Sequence, residues 1–553
     1  MIAKRLTVVL AGAAFLALTA GTAQADMPEG KTFSERAGSA DSPAKADVAA
    51  NPAAIALKAL LAVAPDQESF VDKRDRAAMA EFYAERDFQP VWVRNGRITP
   101  AGRQVMARIA DADGDGLDAA AFRLPDAGLG SNVPLGPDLA AAVEVTLDRA
   151  LLLYARQAYA GRLSPTAISQ LITDKPLMPD PVEILVGVSS ATDPAAAVDG
   201  YNPPHEGYRR LKAALAELRR KPAADAPQPI AEGKVLKLGV SDARVPQLRA
   251  RLGLAPAAGA ADIYDTTLAE AVQRFQASSG LTTDGAAGAT TIAVLNDAGK
   301  EKTAEIIANM ERWRWLPRDL GPFHIEVNVP EFEARIVDDG RIVHRTRVVT
   351  GKVTNPTPVF SNAMESIVVN PSWNVPASIT TKEMLPKLRG DPSYLTRNGY
   401  QVLARVGGKV VPVAPGSIDW SSASARTVQI RQPPGDDNAL GAIKFLFPNE
   451  HAVYLHDTPS KSLFQRDSRA FSHGCVRVQD PLEFADVLLA YQGGWTSQRL
   501  RKMVGGRESW IRLQKKIPIH ITYFTAFVDD TGRLETRPDI YGYDARVERA
   551  LGL

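Results

Sequence analysis

Tyr454-Leu455-His456-Asp457-Thr458-Pro459 and, a short loop later, Phe471-Ser472-His473-Gly474-Cys475-Val476-Arg477 are the two runs that decide how this chain reads. Cys475 is the only cysteine among 553 residues. Taken alone, a single cysteine is a small buried hydrophobe. Its neighbours give it another use. A thiol becomes a nucleophile when a base or cation stands beside it, and His473 and His456 are both close in sequence. Gly474 permits a sharp turn in which successive N–H groups converge on a developing oxyanion. Thiol, imidazoles and glycine turn together are an acyl-transfer constellation.

The pattern resembles the signature of the L,D-transpeptidases, the family with the YkuD-type fold. In that family an upstream His, a variable loop and Ser-His-Gly-Cys are followed by an apolar residue and Arg or Asn. His456, Ser472, His473, Gly474, Cys475, Val476 and Arg477 match throughout. The run from Tyr454 to Ser460 resembles the large, multidomain Gram-negative branch. The resemblance implies Cys475 as nucleophile and His456 as base. Tyr454 alternates with His456 along a strand, so both point to one face; Tyr454 positions substrate or donates to the oxyanion. His473 and the N–H groups around Gly474 and Cys475 are the oxyanion candidates. Ser472 fixes the loop. Arg477 holds either the loop or a substrate carboxylate, because guanidinium pairs bidentately with carboxylates.

Working outward, residues 304–553 read as a sheet domain. Phe323 to Val329 and Phe332 to Val337 are strands, Asp338-Asp339-Gly340 is a turn, and Ile342 to Thr350 returns, as in a hairpin. Glu365 to Val369, Gly441 to Phe447, Ala452 to Leu455 and Ile517 to Phe524 continue it, with a Thr531-Gly532 turn near the close. The expected form is a β-sandwich-like catalytic domain. His344 falls strands away from the motif and is expected at a surface or edge. Residues of about 376–438 interrupt the pattern with a helix, Thr381 to Leu388, and a Pro433-Pro434-Gly435 loop. A long insertion in a compact domain is commonly a lid, and the resemblance implies that it caps the site. Trp373, just ahead of it, is the remaining substrate-binding candidate.

Upstream, the predicted class is multidomain α+β. Lys4 and Arg5, the apolar run Leu6 to Ala20 and Ala23-Gln24-Ala25 predict a signal peptide over 1–25; the run is short for a membrane span, and an uncleaved anchor is the alternative. Residues 26–52 read as a flexible linker. Residues 53–221 carry helical periodicity in Ala77 to Ala84, Ala101 to Ala110, Leu139 to Tyr159 and Tyr208 to Arg220, with a core-packed Phe88-Gln89-Pro90-Val91-Trp92-Val93 stretch; their order resembles the family's helical scaffold. A linker at 222–234 precedes a module at 235–298 that resembles a three-helix peptidoglycan-binding domain. There Ala271, Val272 and Phe275 share a helix face, and Asp284-Gly285 turns the chain.

Function classes narrow accordingly. A net charge of +2 gives no electrostatic argument for nucleic acid. One cysteine cannot build a thiolate metal cluster, and the His spacing fits no zinc pattern; no metal or cofactor is expected. Asp111-Ala112-Asp113-Gly114-Asp115-Gly116 imitates a calcium loop, but the twelfth position is Phe122 where a bidentate Glu is needed; the acids are expected to cap a helix. What the resemblance implies is a periplasmic acyltransferase acting on peptidoglycan stem peptides, alongside possible wall-synthesis enzymes. It would cleave a tetrapeptide before its terminal D-Ala and form 3-3 cross-links, and a carbapenem would acylate Cys475. A transferase that attaches a protein to the wall, a cysteine hydrolase and a non-catalytic wall-binding scaffold are the rival readings.

Overall fold

The computed structural model describes residues 51–64, 69–220, 228–257, 259, 261–279, 281–298, 302–391, 393–406, 409–424 and 427–553. The signal peptide and nearly all of the linker after it lie outside the described residues. Among the described residues no helix is long and apolar enough to cross a membrane.

The first region is helical, and its helices begin in one repeated way. Asn51-Pro52, Thr99-Pro100, Asp180-Pro181 and Asp193-Pro194 each place a capping side chain ahead of a proline in the first turn. The cap satisfies an orphan N–H, and proline loses nothing where no N–H partner exists. The helix Pro137–Ala160 is the central one; Val143, Leu147, Leu151, Tyr154 and Ala158 line its buried face at spacings of three and four. Its Glu144 and Asp148 are also buried. Glu144 accepts N–H bonds from Trp92 at 2.8 Å and Val93 at 3.0 Å, and Asp148 accepts from the Trp92 indole at 2.7 Å. The Tyr83 hydroxyl donates to both carboxyls. This network holds the Phe88–Val93 stretch against the helix.

The calcium-like acids form a short 3-10 helix, Ala112–Asp115, ended by Gly116 at φ 70°. Asp115 is fully buried between Arg108, at 2.8 Å, and Lys212, at 2.7 Å. The small module packs the helices Val245–Arg251, Thr266–Ser278 and Ala289–Ala298 around Leu248, Leu268, Val272, Ile292 and Leu295. Ile230 belongs to this core and bonds Asn296 through its N–H and C=O. The expected linker is therefore part of the module from at least this residue, because a buried branched side chain anchors it. Thr282, on the loop after the second helix, donates through N–H and Oγ1 to Asp467 of the sheet domain, at 2.8 and 2.7 Å.

Strands are numbered along the chain, beginning with a small hairpin of β1 (Val93–Arg94) and β2 (Arg97–Ile98) in the helical region. The sheet domain contains β3 (Phe323–Asn328), β4 (Glu333–Asp338), β5 (Arg341–Gly351) and β6 (Phe360–Val369). The insertion contributes β7 (Trp373–Asn374), β8 (Gln401–Val406), β9 (Lys409–Val413) and β10 (Val428–Gln432). Next come β11 (Ile443–Leu446), β12 (Leu455–His456), β13 (Ala470–Ser472), β14 (Val476–Val478) and β15 (Ser509–Thr522). The main sheet runs β13-β5-β14-β12-β11-β6-β15-β3-β4, and β4 pairs again with β5. Eight strands thus close on themselves around Ile325, Ile336, Val348, Ile367, Ile443, Phe445, Leu455, Val476 and Ile519, all buried. The layers of the expected sandwich are facing sides of one closed sheet. His344 lies on β5, paired with Ile336 of β4 and half-buried against the Phe484 ring at 5.9 Å, while Val343 and Arg345 on either side of it are exposed, as a residue near the surface should be.

The insertion is more ordered than its sequence suggests. Helical turns run from Ala377 to Gly390, including one π-helical turn at Thr380–Met384. The antiparallel sheet β7-β10-β8-β9 lies with them. A separate core of Met384, Leu385, Leu388, Leu395, Val402, Trp420, Val428 and Ile430 holds the two together.

Candidate active site

β12 is flanked by β11 and β14, and register places the site. Lys444 pairs with His456 across β11–β12, and His456 pairs with Arg477 across β12–β14. Residues in register share a face of a sheet. Phe445, Leu455 and Val476 point into the buried core. Lys444, His456 and Arg477 therefore stand in one row on the opposite face. The ladder extends one bond further, from the Val476 N–H to the Tyr454 carbonyl at 3.1 Å. This brings Tyr454, two residues before His456, and Cys475, two before Arg477, into the neighbouring row.

His456 is buried, and its Nδ1 bonds the Asp457 main-chain carbonyl. A carbonyl only accepts, so Nδ1 carries the proton and Nε2 of the neutral ring keeps a free lone pair. Burial, with Arg477 and Lys444 adding repulsion, pushes the imidazole pKa down to about 3. Asp457 is held by the Ala442 N–H at 2.8 Å, the Thr458 N–H at 2.7 Å and Lys461. Gly441, at φ 57°, gives Asp457 room, since a Cβ there would strike its carboxylate.

Cys475 is half-buried. Burial raises its thiol pKa; main-chain and side-chain hydrogen bonds from Tyr454 and the charges of Lys444 and Arg477 act against that rise. The Tyr454 ring meets the His456 ring edge-on at 5.6 Å, and Lys444 Nζ lies 3.8 Å from the centre of the tyrosine ring. Burial also raises the Tyr454 hydroxyl pKa, and a hydrogen bond with Trp373 works the other way. Trp373 thus reaches the site from β7, at the root of the insertion.

The turn before Cys475 is tightly fixed. Ser472 Oγ donates to the Cys475 carbonyl and accepts the Gly474 N–H at 3.1 Å. Gly474 sits at φ 116°, a conformation L side chains rarely adopt. Its carbonyl accepts from Thr357 Oγ1 at 2.9 Å, while Thr357 and Gly351 are tied to Tyr541. Of the two main-chain groups among the expected oxyanion donors, the Gly474 N–H is therefore already engaged, and the Cys475 N–H has no hydrogen-bond partner among the described residues.

His473 points elsewhere than His456. It is on the rim, where Nε2 contacts Glu383 Oε1 at 2.6 Å and Lys352 Nζ at 3.5 Å. Arg477 is half-buried, with Nε unpartnered and no carboxylate in ion-pair reach among the described residues. Lys444, Glu383, Thr357 and Tyr541 are site residues that sequence reasoning missed. The apolar–Lys–apolar alternation of Ile443-Lys444-Phe445 carried a signal for Lys444, a lone charge in a buried strand; the others have no local one.

Residues 322–505 match the family model for the L,D-transpeptidase catalytic domain. Residues 77–215 match a scaffold domain, and 247–295 match a domain described as "Putative peptidoglycan binding domain". A protein of Haemophilus influenzae named "Putative L,D-transpeptidase" is 36% identical over 252 residues, 45% of this chain and 50% of that protein. The chain thus spans about half the length of the curated relative it matches. Among solved structures, an L,D-transpeptidase from Stackebrandtia nassauensis is 13% identical, covering 53% of this chain and 97% of that one at a TM-score of 0.20. One from Mycobacterium smegmatis is 13% identical, covering 36% and 58% at 0.18.

Proposed function

We propose that the L,D-transpeptidase catalytic domain of this chain works through Cys475 as nucleophile and His456 as general base, on peptidoglycan stem peptides in the periplasm. The row formed by β11, β12 and β14 is the observation that carries this reading. Its register puts a neutral imidazole of defined tautomer one row from a half-buried thiol whose turn is fixed by hydrogen bonds.

His456 Nε2 takes the thiol proton as Sγ attacks the carbonyl before the terminal D-Ala of a tetrapeptide. The oxyanion forms toward the Cys475 N–H and the Tyr454 hydroxyl. Collapse returns the proton to the departing D-Ala nitrogen and leaves a thioester. The side-chain amine of a second stem then attacks, His456 accepts its proton, and the amide forms as the thiol is restored. The result is a 3-3 cross-link. The insertion, reaching the site through Trp373 and Glu383, favours an amine over water by limiting access. The peptidoglycan-binding module supplies local substrate concentration. Export through the segment 1–25 places these steps in the periplasm.

Mass spectrometry of muropeptides after incubation with tetrapeptide-rich sacculi tests this. New 3-3 dimers with equimolar D-Ala release support it. Release of D-Ala without dimers identifies a hydrolase, and label transfer to a protein lysine identifies a protein-anchoring transferase.

A further inference from the structure

We propose that Lys444 is a positioning residue that holds the Cys475 thiolate electrostatically, completing a row of two cations around the neutral base. This rests on Cys475 as nucleophile but not on the identity of the acceptor.

The placement comes from register. Lys444 stands opposite His456, and Arg477 stands opposite His456 on the other side. The imidazole is thus bracketed by an ammonium and a guanidinium on one face. Lys444 Nζ rests on the Tyr454 ring at 3.8 Å, and the tyrosine hydrogen-bonds the cysteine. Tyr454 thus lies between the two, under the ammonium on one side and joined on the other to the strand after Cys475 by the Val476 N–H. A cation over an aromatic face is held without a counter-ion, and no carboxylate lies in ion-pair reach of Nζ among the described residues. Glu508 acts on Lys444 only through space; its carboxylate bonds the Ser372 N–H at 2.8 Å and faces Arg431 at 3.9 Å.

The groups around the thiol are few. Tyr454 acts on it from just before β12, Lys444 from β11 and Arg477 from β14, and His456 stands in the next row. His473, on the same loop, is turned to Glu383 and Lys352. Of these, only the ammonium and the guanidinium offset the desolvation of a thiolate as full charges. Burial lowers the Lys444 pKa, while the cysteine raises it, the mutual effect expected of a thiolate and an ammonium that stabilise one another. Burying a charge without a partner is costly, so an uncompensated lysine in this row has a use when the sulfur is negative.

The test is alkylation of Cys475 by iodoacetamide, an uncharged probe, across pH in the full chain, Lys444→Met and Lys444→Arg. Loss of the cation is expected to raise the titration midpoint by about one pH unit. Below the midpoint the thiolate fraction then falls about tenfold, partly offset by higher nucleophilicity, a net loss of about threefold. Lys444→Arg restores the midpoint, and circular dichroism confirms the fold. An unshifted midpoint in Lys444→Met overturns the proposal, whatever happens to the plateau rate. So does a loss confined to anionic iodoacetate, which would make Lys444 a docking group for substrate carboxylates. A parent chain that shows no Cys475 alkylation at any pH overturns this proposal and the assignment of Cys475 together.

Discussion

Glu383 Oε1 lies 2.6 Å from His473 Nε2, so a carboxylate carried by the insertion touches the loop that carries Cys475. Each residue stands on an element packed against a separate core, and this contact joins the two elements.

Both partners are substantially exposed, and such pairs contribute about 0.2–1 kcal/mol. Glu383→Gln is therefore expected to raise Cys475 alkylation by up to about fivefold, the factor matching the upper figure, with no change in the fold. Hydrogen exchange within residues 377–390 should accelerate in parallel. Unchanged exchange and reactivity would show that the contact latches nothing.

Cys475→Ser is expected to abolish carbapenem acylation and cross-linking while keeping the native circular dichroism spectrum. The swap is nearly isosteric, but a hydroxyl is a far weaker nucleophile at neutral pH. Intact-protein mass spectrometry should show one adduct per parent chain and none on the variant.

His456→Ala is expected to slow acylation by about two to four orders of magnitude, the range for a lost general base. His473→Ala, lying on the rim, should cost less. The parent profile carries a second signature. With His456 at about 3 and Cys475 raised, the resting pair is thiol and neutral imidazole, so the acylation rate should stay level through pH values near the ordinary imidazole pKa. Stopped-flow rates with a step near 6.5, the reference histidine value, would mean that His456 titrates like an exposed ring.

Burial lifts Glu144 to about 8 and Asp148 to about 7. The folded state then holds protons that the unfolded chain releases at its ordinary carboxyl values. Stability from this pair is fully present below the unfolded pKa and is lost as pH rises through about 7 to 8. The slope is up to about 1.4 kcal/mol per pH unit for each proton held. Urea unfolding across that range should show the decline, and Asp148→Asn should flatten it; an identical slope in the variant would locate the protons elsewhere.

Gly441→Ala is expected to destabilise the sheet domain by about 1–3 kcal/mol and to slow acylation. The residue would occupy a left-handed backbone conformation, and its Cβ would strike Asp457, whose carbonyl fixes the His456 tautomer. Thermal unfolding and acylation matching the parent would show that Asp457 can move at no cost.

The proximity of Tyr454, His456 and Cys475 is legible because the residues are neighbours in sequence and their chemistry is local. Alternation within Tyr454-Leu455-His456 was enough to put two rings on one face. Lys444 was harder, since its place depends on which strand pairs with β12 and in what register. Glu383 and Thr357 reach the motif from far along the chain, and no spacing rule connects them. The insertion misled for a different reason. Val402, Val428 and Ile430 supply a core too small to dominate a sequence otherwise rich in Pro, Gly and Asp, so its strands read as loop. Ile230 was lost in the same way, one buried side chain in a stretch of Pro and Ala.

The closure of β4 onto β5 has a bearing on how the domain coexists with its surroundings. An open sheet presents unpaired N–H and C=O groups that any extended chain can template upon. In the ring every strand has a neighbour on both sides, so among the described residues of this domain free backbone edges fall to short strands: β13, the insertion's outer strands β7 and β9, and the small pair Ala526–Val528 and Leu534–Thr536. The domain thereby offers no broad edge on which an extended chain could stack into aggregates.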